Sequence, residues 1–134
     1  MTDADSEPNN ATRKMDISSI LTPSGVIPAL RSGAKKAVLE ELAEKAAEVT
    51  GRDASEIFSV LLDREKLGST GVGGGVAIPH GKLNDLDRLY MVFARAQNPI
   101  EFDAVDEHPV DLFCMLIAPE EAGADHLKAL ARIS

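Results

Sequence analysis

The hydrophobic period changes partway along this chain, and that change restricts it to a combination of helices and sheet. Between Lys35 and Val49 the residues Val38, Leu39, Leu42, Ala46 and Val49 recur at helical spacing, and Gly51 supplies a stop signal. A second helix is predicted over about Ala54–Lys66, with Asp53 as N-cap, Glu56 three residues on, and a buried face of Ile57, Val60 and Leu61. Downstream, Leu89–Ala96 and Val110–Ala118 are strand-length and rich in β-branched and large apolar residues. A last helix is expected over His126–Ile133, after Pro119–Asp125. Ahead of all these, Asp16–Leu21 reads as a short helical turn and Val26–Leu30 as a short strand, where Pro28 suits an edge position. Helices first, strands in the middle and a helix after them imply an α/β fold, with helices covering the faces of a sheet.

With 134 residues the chain is sized for one domain with one core. Met1–Lys14 is polar, with almost nothing to bury, and is expected to be a disordered tail (1–14) ahead of the domain (15–134). A formal net charge of −8 argues against a nucleic-acid binder, which needs a basic face. Leu112–Ala118, the longest strongly apolar run, is far short of the ~20 residues of a membrane span, and Met1–Lys14 lacks the apolar centre of a signal peptide. The single cysteine, Cys114, lies inside that apolar run and reads as a small core side chain, fitting a reducing, cytoplasmic setting.

The chemistry is concentrated in Ser69–Leu83, which reads Ser-Thr-Gly-Val-Gly-Gly-Gly-Val-Ala-Ile-Pro-His-Gly-Lys-Leu. Glycines permit positive φ and close backbone approach, so several amides can converge on one anion. An imidazole just beyond such a loop suggests a nucleophile that carries a phosphoryl group. Two nucleotide motifs are excluded. In a P-loop register ending at Gly81-Lys82, Val76 stands at the first glycine position and Leu83 at the hydroxyl position. In a dinucleotide register starting at Gly71-x-Gly73, Val76 stands at the third glycine. No cofactor is therefore expected. A metal site is not expected either, because His80, His108, Cys114 and His126 contain no closely spaced ligand pair.

The stretch Arg64-Glu65-Lys66-Leu67-Gly68-Ser69-Thr70-Gly71, followed by Ala77-Ile78-Pro79-His80-Gly81-Lys82, resembles the signature of the type-2 enzyme IIA domain. This is the fructose/mannitol family of the bacterial phosphoenolpyruvate-dependent phosphotransferase system (PTS). The resemblance extends through Met15–Leu21 and Lys35–Gly51, covers roughly Met15–Ser134, and is strongest to the nitrogen-related branch. It implies a three-layer α/β/α sandwich around a mixed sheet. It also implies that the histidine matching His80 is phosphorylated by a small HPr-like histidine-containing carrier protein. Further C-terminal helical residues are usual in the family, so the domain is expected to be truncated at Ser134.

Several residues are candidates for supporting His80. A neutral imidazole is a competent nucleophile when its second nitrogen is held by a hydrogen bond. Phosphoryl transfer then asks chiefly for in-line positioning and charge stabilisation. Arg64, at the end of the second helix, offers a planar fork suited to phosphoryl oxygens, and the resemblance makes the matching arginine an active-site residue. Glu65 either orients Arg64 or is simply solvated. His126 follows the capping residue Asp125, which puts it in the first turn of the last helix, and the resemblance places a histidine in a His-Leu-x-x-Leu context beside the phosphorylated one. Weaker candidates are Ser69 and Thr70, as hydroxyl donors or turn caps, the amides of Gly73, Gly74 and Gly75, and Lys82, as a charge screen or a plain surface residue. His108 reads as surface.

The resulting expectation is a phosphocarrier with a regulatory, nitrogen-related role, whose phosphorylation state selects target proteins. Two alternatives stand beside it. One is a sugar-specific enzyme IIA that passes its phosphoryl group to a IIB domain. The other is a regulatory binding module that is never phosphorylated.

Overall fold

The helical stripe closes into α1 (Lys35–Thr50), and the second into α2 (Ala54–Lys66), in a computed structural model that describes residues 21–120, the first three by backbone alone. The tail, most of the expected turn at Asp16–Leu21 and the expected helix His126–Ile133 lie outside the described residues. Gly51 ends α1 as predicted: its φ is 75° and its amide donates to the Ala47 carbonyl at 2.9 Å. Asp53 occupies the N-cap of α2 with extended backbone but makes no side-chain cap. Its carboxylate instead accepts from the Ser55 hydroxyl at 2.7 Å, and Glu56 pairs with Arg52 rather than closing a capping box.

Among the described residues six strands form one mixed sheet: β1 (Leu21–Leu30), β2 (Gly71–Gly73), β3 (Val76–Ala77), β4 (His80–Leu83), β5 (Tyr90–Ile100) and β6 (Val110–Pro119). The spatial order is β1-β5-β6-β3-β2, with β4 also pairing β6. The β1/β5, β3/β6 and β4/β6 pairs are parallel; β5/β6 and β2/β3 are antiparallel. Three expectations shift. Leu21, expected at the end of a turn, instead opens β1, which extends well ahead of Val26, is the edge strand among the described residues, and carries Pro28 in a break of the β1/β5 register between Ile27 and Leu30. β5 continues past Ala96 to Ile100, taking residues expected to be linker. The glycine-rich run, expected as a loop, holds three short strands.

Strand alternation divides the core. Val92, Ala94, Phe113, Met115 and Ile117 face one way, clustered with Leu39, Leu42, Ile57 and Leu61 of the two helices. Phe102 and Phe113 meet edge-on there, with ring centroids 5.4 Å apart. Truncating a fully buried member such as Leu42 to Ala costs about 2–5 kcal/mol. Met91, Cys114, Leu116 and Ala118 are buried on the opposite face together with Ile78 and Leu89. Cys114 is thus a core side chain, and burial pushes its thiol up to about 11. The fold is α/β, with the sheet and one helical layer within the described residues. Among those residues no helix is long and apolar enough to cross a membrane.

Candidate functional site

Gly81 explains why Arg64 and His80 meet. A Cβ at position 81 would lie 2.9 Å from Val60 Cγ2, so the missing side chain lets α2 lie directly against β4. Arg64 is one helical turn beyond Val60, and His80 immediately precedes Gly81. The Arg64 Nε–H donates to His80 Nε2 at 3.1 Å, while its Nη1 donates to the Gly68 carbonyl at 2.9 Å.

The other imidazole nitrogen is also held. His80 Nδ1 lies 2.8 Å from the Ile78 carbonyl oxygen, which can only accept, so the proton sits on Nδ1 and the Nε2 lone pair faces Arg64. Burial is the main cause holding the His80 pKa below its ordinary 6.5. The Ile78 hydrogen bond raises it, the Arg64 charge lowers it and the Glu65 charge raises it, in decreasing order of weight. His80 is therefore neutral at pH 7, with the Nε2 lone pair beside a guanidinium.

Other predicted residues are placed differently. The backbone turns back on itself between β2 and β3, and there the Gly74 amide donates to Asp106 Oδ2 at 3.0 Å. A Cβ at Gly73 would meet the Asp106 carboxylate at 3.3 Å, and one at Gly75 would meet Asp111 Oδ1 at 3.0 Å. The Gly75 carbonyl accepts from the amides of Asp111 and Leu112, whereas His80 is in register with Leu116. Four strand residues separate Leu112 from Leu116, so the turn lies about 13 Å along β6 from the imidazole. Gly73, Gly74 and Gly75, whose amides were expected to face a phosphoryl group, border the Asp106 and Asp111 carboxylates at this point along β6.

Ser69 and Thr70 are engaged within the fold. The Ser69 hydroxyl donates to the Phe102 carbonyl at 2.6 Å and accepts from the Gly71 amide at 3.0 Å. The Thr70 hydroxyl and amide both donate to the Glu65 carboxylate. Glu65, for which the sequence offered an orienting or a solvated role, is buried and also bridges Lys35 at 3.1 Å. Lys82 is exposed on β4, two residues beyond His80. His126 lies outside the described residues. His108 is exposed, as expected. Among the described residues there is no group of three or more His, Cys, Asp or Glu placed to hold a metal.

Two contributions were not found by sequence reasoning. Asp106, which braces the glycine turn, lies in a polar segment 32 residues beyond Gly74 and carries no motif. Lys35 opens an amphipathic helix, where a lysine reads as surface. The spacing from Glu65 to Thr70 was available inside the motif, but nothing in it declared the carboxylate buried.

Residues 19–134 match the family described as phosphoenolpyruvate-dependent sugar phosphotransferase system, EIIA 2. A nitrogen regulatory protein from Bradyrhizobium diazoefficiens is 56% identical over 120 residues, which cover 90% of this chain and 78% of that protein. A fructose-specific EIIA component from Haloferax volcanii is 39% identical, covering 90% and 80%. The crystal structure of the nitrogen regulatory protein IIA-Ntr from Neisseria meningitidis superposes with a TM-score of 0.82 at 38% identity, over 87% of this chain and 80% of that one. Escherichia coli IIA mannitol shares the fold, with a TM-score of 0.69 at 20% identity over 83% of this chain and 80% of that one. The chain belongs to the EIIA type-2 family of the phosphotransferase system, the family its Arg64–Gly71 and Ala77–Lys82 segments resemble.

Proposed function

We propose that this protein is a phosphocarrier that accepts a phosphoryl group on His80 Nε2 from an HPr-like carrier's phosphohistidine. The observation that carries the reading is the pair of contacts on the imidazole: Nδ1–H on the Ile78 carbonyl at 2.8 Å and Nε2 facing the Arg64 Nε–H at 3.1 Å. In the transfer, the carrier's P–N bond breaks as the Nε2 lone pair forms a new one, and the carrier's imidazole is the leaving group. No proton has to leave Nδ1. Arg64 releases Nε2 and turns its donors onto the phosphoryl oxygens, where positive charge is most useful. His126 is proposed as a second stabiliser, and Lys82 as an exposed cation on the same strand as His80.

The names of the relatives favour a regulatory role linked to nitrogen metabolism. A phosphoryl group adds about −2 charge and three strong acceptors, enough to change which surfaces dock beside His80. Transfer onward to a IIB domain is the competing fate, supported by the complex of Escherichia coli mannitol IIA with phosphorylated IIB. The test is intact-mass analysis after incubation with phosphoenolpyruvate, enzyme I and a histidine carrier. One acid-labile phosphoryl group, absent in His80→Ala, is expected. A folded protein that gains none would overturn the reading and leave a binding module.

A further inference from the structure

Arg64 and Glu65 are neighbours in the last turn of α2, and they hold the same loop from two sides. Outside, Arg64 Nη1 donates to the Gly68 carbonyl at 2.9 Å. Inside, the Glu65 side chain is 3% exposed and receives the Thr70 amide at 3.2 Å, the Thr70 hydroxyl and Lys35 Nζ at 3.1 Å. Lys35 is itself steadied, 4.7 Å above the Phe102 ring and 3.6 Å from Asp103 Oδ2. A carboxylate is tolerated at this depth only when paired and hydrogen-bonded, so the arrangement resists any movement that would strand it. It ties together the start of α1, the end of α2 and the residue that precedes β2.

The geometry points to Glu65 as a positioning residue for the His80 site: by gripping Thr70 it fixes the Gly68 carbonyl on which Arg64 rests, and so aims the guanidinium at His80 Nε2. Glu65 does not touch the imidazole; it acts through the loop and Arg64. The kinetic part of this inference rests on the phosphocarrier reading, whereas the structural part does not.

Two readouts separate positioning from a merely structural role. The first is an NMR titration of His80 in the unphosphorylated protein and in Glu65→Gln. The Arg64 charge lowers the His80 pKa by more than the Glu65 charge raises it. A guanidinium released from its perch therefore makes the His80 pKa rise. Loss of the Glu65 charge with Arg64 still in place makes it fall, and that result overturns the proposal. The second is a double-mutant cycle on the rate of phosphoryl acceptance. Glu65→Gln is expected to slow acceptance roughly 10- to 100-fold in the native background, as small misplacements do, but by less than about twofold in Arg64→Ala. Equal losses in both backgrounds contradict action through Arg64. Where Glu65→Gln does not fold by circular dichroism, Thr70→Val removes the hydroxyl that Glu65 holds but keeps the carboxylate. A rise in the His80 pKa then supports the proposal, an unchanged pKa overturns it, and the double-mutant cycle is read as before. Failure of the native protein to accept phosphoryl defeats the phosphocarrier reading, while the sign of the titration shift still decides the role of Glu65.

Discussion

The glycine turn around Gly74 and the Pro79-His80-Gly81 segment lie within one short run of sequence, yet they do different physical work. At the turn, the Gly74 amide is already bound to Asp106, and Asp111 lies beside Gly75. At His80, glycine serves packing instead: Gly81 lets α2 approach, which delivers Arg64 to the imidazole. Glycine density therefore does not identify a phosphate cradle. What matters is which amides the fold has already used.

Substitutions at the two places are expected to separate function from stability. The largest effect belongs to Arg64→Ala, which is expected to slow phosphoryl acceptance about 10²–10³-fold, as loss of a charge-stabilising donor does, while the thermal melt barely moves. A comparable loss from a turn mutant would break the contrast. Gly74→Ala is the converse. Its φ of 65° disfavours any side chain although the space around it is open, so denaturant unfolding should show about 1–2 kcal/mol of lost stability. Its acceptance rate per folded molecule should be unchanged, and a slowed rate would return the turn to the active site.

The smallest expected effect is on pH dependence. Folding lowers the His80 pKa below 6.5, so His80 contributes stability that is intact above that pH and is lost as pH falls through the folded value. The same shift keeps the nucleophile neutral in mild acid. The acid limb of acceptance should lie below pH 6.5, and in Arg64→Ala it should move upward, since the guanidinium is one of the causes that depress it. A limb above 6.5 in the native protein would contradict the buried, arginine-facing imidazole.

How much of this was legible in sequence follows from how local each signal is. α1 and α2 announce themselves because a stripe such as Val38, Leu39, Leu42 and Ala46 is buried as a unit, and β6 does so because Leu112–Ala118 is continuously apolar. The pairing of Arg64 with His80 was readable through the family motif. β2 and β3 were not, since a strand of two or three residues has no period to read and exists only through its partners. Nor was the burial of Glu65 readable. A glutamate in the last turn of a helix is ordinarily solvated, and only Lys35 and Thr70, brought in by tertiary packing, make this one an interior residue.

The most direct test of the central claim is which nitrogen of His80 carries the phosphoryl group, read by ¹⁵N NMR of the phosphorylated protein with labelled histidine. The structure predicts phosphorylation at Nε2 with the Nδ1 proton still on the Ile78 carbonyl. Phosphorylation at Nδ1, or at a histidine other than His80, would contradict it.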